Sequence, residues 1–449
     1  MGASLQKPVT STVLERHGTK NFRVGLAEMN GWRGSMEDAH VVHFSSNGEA
    51  YFGILDGHGG DQCSAWCAKK LHERLSASGL PANDAAAKKM CLEIDQAFLD
   101  TGQPSGSTAA MCAVRPPSTP SPTAKYKLHV INAGDSRVLL SRADGTIVEG
   151  GGTDGGLTTD HKPDHPGEKA RIYRCGGTVQ EAAGGVHRVN GDLAVSRGFG
   201  DAEYKKTGGP SLEDRPVTAN PEMGHFECGA SDFLLLVCDG VSEGAFPNAE
   251  VCQLAASVLA KTGGDAAAAS EAICFKAIET GSKDNISCMI VLMGGAPLPT
   301  PAASSPAALT PKSVTNKSVV FCPGSLLGTK DTNFVKAYVA MCARGGVSFG
   351  TAVQRRHALL RKRQGTAHAE AEDEAELALI GSPNGAEGSP QRTAWFVEWA
   401  EQCQARKEEG GGDDGDGDGD GDGGRMKQLM MMRMLMQMMQ SDGTGRAGP

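Results

Sequence analysis

Tyr51–Gly60 reads YFGILDGHGG, an apolar, strand-like run that ends on the carboxylate of Asp56 and then turns through glycine. A single Asp-Gly pair is the mark of an ordinary β-turn. Here the design recurs. LLLVC at Leu234–Cys238 runs into Asp239 within VCDGVSEG (Val237–Gly244). SKDN (Ser282–Asn285) stands directly before the apolar run Ile286–Met293, and RGSMED (Arg33–Asp38) directly before Ala39–Phe44. Each turn alone reads as a cap or a surface ion pair. Together, at the ends of core strands, they point to one site. Strands come first, helices are inserted, and hairpins outnumber crossover units. The fold class expected is therefore α+β with antiparallel sheets, not doubly wound α/β.

Acidic groups beside a core are costly unless something cationic neutralises them. Several all-carboxylate runs call for hard divalent cations, Mg²⁺ or Mn²⁺, rather than zinc. Asp56 sits where it can bridge two cations, and the Gly57 carbonyl, free of a side chain, can approach one of them. His58, two residues on, can reach a leaving oxygen. Glu37 and Asp38 are adjacent, so a strand points them to opposite faces, one toward a metal and one toward the turn or its waters. Arg33 offers a forked contact to phosphate oxygens. The collection suits two-metal hydrolysis of a phosphate ester.

The 449 residues suffice for one large domain plus extra material, or for two domains. A net charge of −9 argues against a general nucleic-acid partner. The 13 cysteines, without a paired framework, read as reduced, mostly buried thiols of a cytoplasmic protein, with a nuclear location as the alternative. No stretch reaches the ~18 apolar residues of a membrane span. MGASLQ exposes Gly2 once Met1 is removed, but Gln6 stands where the acylation pattern wants Ser or Thr. Weak membrane association through Gly2 is thus a secondary expectation.

Residues 1–20 read as an N-terminal arm and 21–295 as one dense folded unit. Its helices are expected at Gln62–Ser78, Asn83–Leu99, Pro166–Cys175, Asn248–Lys261 and Asp265–Glu279. Residues 296–331 read as a linker rich in Pro, Ala and Ser, and 332–364 as a helical extension. In that extension Phe334, Val335, Tyr338, Val339 and Cys342 form a stripe expected to pack on the main domain. Arg355, Arg356, Arg361, Lys362 and Arg363 read as a solvated basic face. Residues 365–449 read as a partly disordered, acidic, Gly-Asp and Met-rich tail, with Trp395–Trp399 as a candidate anchoring patch. Asp413–Gly424 imitates the start of a calcium loop, but position 12 falls on Arg425 or Lys427 instead of Glu, so no calcium site is expected. The methionine-rich Arg425–Gln440 is a candidate surface for a protein partner.

GWRGSMEDAH (Gly31–His40), GILDGHGG (Gly53–Gly60), GSTAAMCAV (Gly106–Val114), NAGDSRVLL (Asn132–Leu140), RVNGDLAVSRGFGD (Arg188–Asp201), VCDGVSEG and SKDNISCMIV follow one another along the chain. In these blocks and their order the sequence resembles the metal-dependent Ser/Thr protein phosphatases of type 2C, over residues 21–295. The resemblance implies a four-layer α-β-β-α sandwich of two antiparallel sheets with flanking helices and metals at one end. It implies two Mg²⁺ or Mn²⁺ ions bridged by Asp56. Asp239 and Asp284 would hold one of them, Glu37 and the Gly57 carbonyl the other, and Asp135 a weaker third. Arg33 would bind the substrate phosphate and His58 would be the general acid, with Asp38 and Glu243 behind the ligands. Glu243 stands where the family often has Asp. Arg171–Asp214 would cover the flap beside the site. A metal-bridged hydroxide would then hydrolyse phosphoserine and phosphothreonine in proteins in a single step, with no phosphoenzyme. A monomer is the expected state.

The competing reading is a pseudophosphatase or binding scaffold that keeps the fold without the chemistry. The intact set Glu37, Asp56, Asp239, Asp284 and Arg33 argues against it. A deletion of residues 296–449 is expected to leave activity toward a small aryl phosphate while changing location or substrate choice.

Overall fold

The computed structural model describes residues 4–119, 121, 123–294, 316–366, 370 and 372–405. Gly2, the stretch Ala296–Pro311, the Gly-Asp run and the methionine-rich segment lie outside the described residues.

Eleven strands build two antiparallel sheets. They are β1 (Val9–Gly18), β2 (Phe22–Gly31), β3 (Ala39–Phe44), β4 (Ala50–Leu55), β5 (Ala109–Arg115) and β6 (Tyr126–Ala133), then β7 (Arg137–Ser141), β8 (Glu222–Cys228), β9 (Phe233–Val237), β10 (Ile286–Met293) and β11 (Asn316–Cys322). The first sheet runs β11-β1-β2-β10-β9-β7 and the second β8-β6-β5-β4-β3. Helices α1 (Gln62–Ser78) and α2 (Asp84–Leu99) cover the second sheet. A short helix α3 (Pro166–Arg174) leads into the stretch expected as the flap, and α4 (Asn248–Lys261) and α5 (Ala266–Glu279) cover the first sheet. The result is the expected four-layer α-β-β-α sandwich.

The period-2 alternation of a strand decides which layer each side chain enters. In β9, Leu234 and Leu236 fill the space between the sheets, while Phe233, Leu235 and Val237 meet the helices of the first sheet. In β10, Met289 and Val291 face inward between the sheets, and Ile286, Cys288 and Ile290 face α4 and α5. With both faces covered, such strands read as continuous apolar runs. In β4, Phe52 and Ile54 point between the sheets, and Tyr51 and Leu55 toward α1 and α2. Asp56 shares the parity of Phe52 and Ile54, so the strand aims its carboxylate at the open end of the gap between the sheets. Asp38 and Ser287 meet across the same gap, the Ser287 hydroxyl donating to Asp38 at 2.6 Å.

Three segments that the sequence assigns to arm, linker or tail differ from that expectation. Val9–Gly18, read as part of an arm, is a central strand. Its Ser11, Thr12, Glu15 and His17 are buried, and that polarity hides a strand from a hydrophobic reading. Asn316–Cys322, read as linker, pairs with β1 from Thr12↔Cys322 to Gly18↔Asn316. The stretch read as low-complexity tail supplies two helices, Asp373–Ile380 and Pro390–Ala405. They join α6 (Thr332–Arg344) and α7 (Phe349–Arg363) around a separate core with Val9, Val13 and Phe321. Phe334, Val335, Tyr338 and Cys342 of the expected stripe are buried there. Phe396 is buried in the same core, with Trp395 and Trp399 packed against it, so these aromatics anchor the helix internally.

Charges bind this C-terminal part to the sandwich. Arg344 donates a fork to buried Glu28, Nε to Oε2 and Nη2 to Oε1, both at 2.7 Å. Its Nη2 also donates to the Asp38 carbonyl at 2.6 Å. His40 reaches Glu28 at 2.9 Å and Glu15 at 3.4 Å, and Lys317 of β11 reaches Glu15 at 2.8 Å. Arg356, read as part of a solvated face, instead forks onto buried Glu376 at 2.9 and 2.8 Å. The pair satisfies the charge that burial would otherwise strand.

Two outcomes follow. Arg344→Ala leaves buried Glu28 with His40 as its remaining cationic partner among the described residues and is expected to cost about 2 kcal/mol of stability in denaturant titration. Burial pulls the His40 pKa down, but Glu28 and Glu15 outweigh it and push the pKa up to about 9. A raised folded pKa means that the stabilisation is complete below the unfolded value of about 6.5 and fades as pH rises through about 9. The melting temperature of the wild type is therefore expected to fall relative to that of His40→Asn across this window.

Candidate active site

The four acid-bearing turns lock together at one end of the sandwich. Gly57 lies so close to the first turn that a Cβ there would stand 2.2 Å from the Glu37 carbonyl oxygen. The Ser64 hydroxyl at the start of α1 also donates to that carbonyl. Asn285 ties the first turn to the fourth. Its Oδ1 accepts from the Glu37 amide at 2.9 Å, and its Nδ2 donates to the carbonyls of Asn30 at 2.8 Å and Ser35 at 2.9 Å. A Cβ on Gly240 would sit 1.9 Å from the Asn285 carbonyl, so the third turn also admits only glycine. Glu243 closes the third turn on the fourth, accepting from the Lys283 amide at 3.0 Å and the Ser282 hydroxyl at 3.3 Å.

Within this frame Asp56, Asp239, Asp284, Asp135 and Asp38 share one electrostatic field. Burial pushes the Asp56 carboxyl well above its ordinary range, and Asp239, Asp38, Asp284 and Asp135 push it further. Asp239 is raised by burial and then by Asp135 and Asp284, and it hydrogen-bonds to Asp56. Asp38 is raised by burial, with Asp284 and Glu28 adding to the effect. One Asp38 oxygen takes the Ser287 hydroxyl, and its Oδ1 is buried with no partner. Asp284 is raised by burial despite its ion pair with Arg33. Among the described residues, Arg33 pairs with Asp284 and Lys162 with Asp135, and Arg344 eases Asp38 from the far side, fewer cations than acids. The excess of negative charge and the all-oxygen donor set fit divalent cations.

Glu37 accepts from Ser35 Oγ at 2.8 Å and from the Gly60 amide at 3.1 Å. His58 Nε2 meets Asp201 Oδ1 at 2.8 Å. Burial lowers the His58 pKa, but Asp201 outweighs it, so the net shift is upward. Sequence reasoning missed the roles of Asp201, Lys162 and Asn285. Asp201 ends the block RVNGDLAVSRGFGD, and a histidine meant to stay protonated calls for an acid, so that signal was available. Nothing near Lys162 marks it. Glu168 accepts from Arg171 and Arg197, each at 2.7 Å, anchoring α3 to the following loop.

A family model described as Protein phosphatase 2C matches residues 22–286. The chain belongs to the protein phosphatase 2C family. Protein phosphatase 1A of Bos taurus is 32% identical over 333 residues, covering 68% of this chain and 79% of the relative. Protein phosphatase 1B of Mus musculus is 34% identical over 328 residues, covering 66% and 77%. Among solved structures, a phosphatase from a pathogenic strain of Toxoplasma gondii is 27% identical with a TM-score of 0.58, covering 69% of this chain and 99% of that one. This chain is thus a metal-dependent serine/threonine phosphatase.

The phosphatase site is expected to oppose its own stability when no cation is supplied. Asp239→Asn removes one of the repelling carboxyls. In EDTA it is expected to raise the melting temperature by about 2 °C or more. On adding Mg²⁺ the variant should gain less than the wild type, because ligand binding stabilises only a competent site. Scanning calorimetry on both proteins, with and without Mg²⁺, checks this.

Proposed function

We propose that this phosphatase hydrolyses phosphoserine and phosphothreonine monoesters in proteins with the help of two Mg²⁺ or Mn²⁺ ions. The observation that carries the reading is the buried, mutually repelling aspartate cluster flanked by Arg33 and His58. Asp56, Asp239, Asp284, Glu37 and the Gly57 carbonyl are the groups that would hold the two ions, and Asp135 a weaker third. Lys162 now neutralises Asp135, so a third ion would have to displace it. When bound, the ions supply a water acidic enough to serve as nucleophile near neutral pH.

The chain's own groups do the rest. Arg33, paired with Asp284, lies at the cluster's exposed side and offers its guanidinium to the equatorial phosphate oxygens. Asp201 holds His58 at Nε2, which leaves Nδ1 to give a proton to the departing serine or threonine oxygen. Asp38 and Glu243 position the turns from behind through Ser287 and Lys283. A covalent phosphoenzyme is not needed, and thiols such as Cys238, Cys274 and Cys91 are pushed far above neutral pH by burial, which makes them poor nucleophiles. The free cysteines also support a reducing compartment, the cytoplasm.

The arrangement alters one expectation. Deleting residues 296–449 removes β11 and Arg344, whose guanidinium holds the Asp38 carbonyl and neutralises Glu28. The deletion should therefore impair stability, and activity even on a small phosphate ester, rather than location alone.

Phosphate release from a phosphothreonine peptide with Mn²⁺ tests the proposal. EDTA is expected to abolish turnover, and Asp239→Asn to do the same at equal Mn²⁺. His58→Gln should lower kcat by about 10²–10³-fold, the scale of a general acid. Arg33→Ala should lower kcat/KM by about 10²-fold. A folded protein with no turnover at any Mn²⁺ or Mg²⁺ concentration would overturn the enzyme in favour of a binding scaffold.

A further inference from the structure

Away from the aspartate cluster, two histidines converge on one carboxylate. His129 of β6 and His225 of β8 are direct cross-strand partners. Their rings stack with centroids 4.5 Å apart and planes 14° from parallel. Both Nε2 atoms approach the same oxygen of Asp84, the first residue of α2, His225 at 2.7 Å and His129 at 3.0 Å. The three ligand atoms lie within 4.8 Å of one another. Among the described residues, the active-site carboxylates are not grouped this tightly.

An ordinary ion pair accounts for part of this. His225 and Asp84 are both half-exposed, and a protonated His225 hydrogen-bonds to Asp84 without further help. It does not account for His129. That residue is 2% exposed, and its Nε2 is buried without a hydrogen-bond partner although Asp84 Oδ1 stands 3.0 Å away. A buried, unpaired ring nitrogen is costly. Two stacked imidazoles cannot both be protonated cheaply, since each charge repels the other. One ring therefore stays neutral, and a neutral imidazole can offer a ring nitrogen to a cation.

We propose that Asp84, His129 and His225 form a second metal site, for Zn²⁺, distinct from the phosphatase centre. Imidazole nitrogen suits zinc and is a poor donor for Mg²⁺. Zinc bonds of 2.0–2.2 Å in a tetrahedron put ligand atoms about 3.3 Å apart. The observed 2.7 and 3.0 Å need open by only a few tenths of an ångström, and the exposed side chains of Asp84 and His225 are free to give. Three protein ligands leave a fourth position for water. The strand β6 runs about 13 Å from His129 to its end before the turn to Asp135, so the two sites do not share ligands. The ligands come from two strands and the first turn of α2, and the ion clamps that helix to the edge of the second sheet.

The full-length protein in excess Mg²⁺, which occupies the aspartate cluster, is titrated with ZnCl₂ by calorimetry and with CoCl₂ by visible absorption. The variants are His225→Ala and Asp84→Asn, both at exposed positions, with folding verified by circular dichroism. Buried His129 is left intact. The wild type is expected to take up one equivalent of Zn²⁺ that each variant binds about tenfold or more weakly. Its Co²⁺ form should show the intense ligand-field bands of a four-coordinate, nitrogen-bearing site, and these should be lost in both variants. Equal Zn²⁺ isotherms and equal Co²⁺ spectra for the three proteins would overturn the site, and would leave the phosphatase reading untouched.

Discussion

Burial, and then the charge of neighbouring carboxylates, raises the proton affinity of Asp56, Asp239, Asp284 and Asp38, because two packed sheets hold them in a common, poorly hydrated field. Free chains would let such groups drift into water. Here they cannot separate, because the turns that carry them are interlocked at backbone level. Gly57 touches the Glu37 carbonyl, Gly240 touches the Asn285 carbonyl, and the Asn285 amide spans Asn30 and Ser35. The strands behind these turns are buried on both faces, so their direction is fixed by packing on either side. Stored repulsion of this kind is the physical counterpart of cation affinity: the fold resists being left without positive charge.

The C-terminal helices belong to the same system. They cover β1, and Arg344 passes from them to Glu28 and the Asp38 backbone, next to the acid that leans on Ser287. A change in how α6 sits on β1 is thereby felt at the carbonyl of Asp38. The extension reads as an accessory in composition, but in space it supplies a structural strand and the counter-charge of buried Glu28.

The sandwich was legible because its central strands are nearly pure hydrophobic runs and because each ends on an acid. Phe233–Cys238, Ile286–Met293 and helix Gln62–Ser78 were recoverable almost to the residue. The strands that escaped reading are those whose residues contradict strand composition. Glu222–Cys228 is a half-exposed edge strand with Glu, Gly and His, and Val9–Gly18 buries polar groups, among them Thr12, whose partner Glu271 lies far along the chain. The same non-locality hid Arg356 and Glu376. Each looks like one more surface charge, and only the folded chain brings them together. In the site, residues in motifs could be named, whereas Lys162 could not, since a lysine's partner is a matter of three-dimensional reach.

The pairing of Glu28 with Arg344 joins residues 316 positions apart. The first two strands leave the ribosome early, yet β2 waits for Ile286–Met293 and β1 for Asn316–Cys322 before either edge is closed. For most of synthesis the nascent chain therefore presents a two-stranded ribbon with unpaired backbone groups and a buried-type glutamate lacking its counter-ion. Loops of that length close slowly, and open edges invite pairing with other chains. The architecture places the closing of these edges after the emergence of Asn316–Cys322, so protection of the earlier ribbon is a demand that the topology imposes on folding.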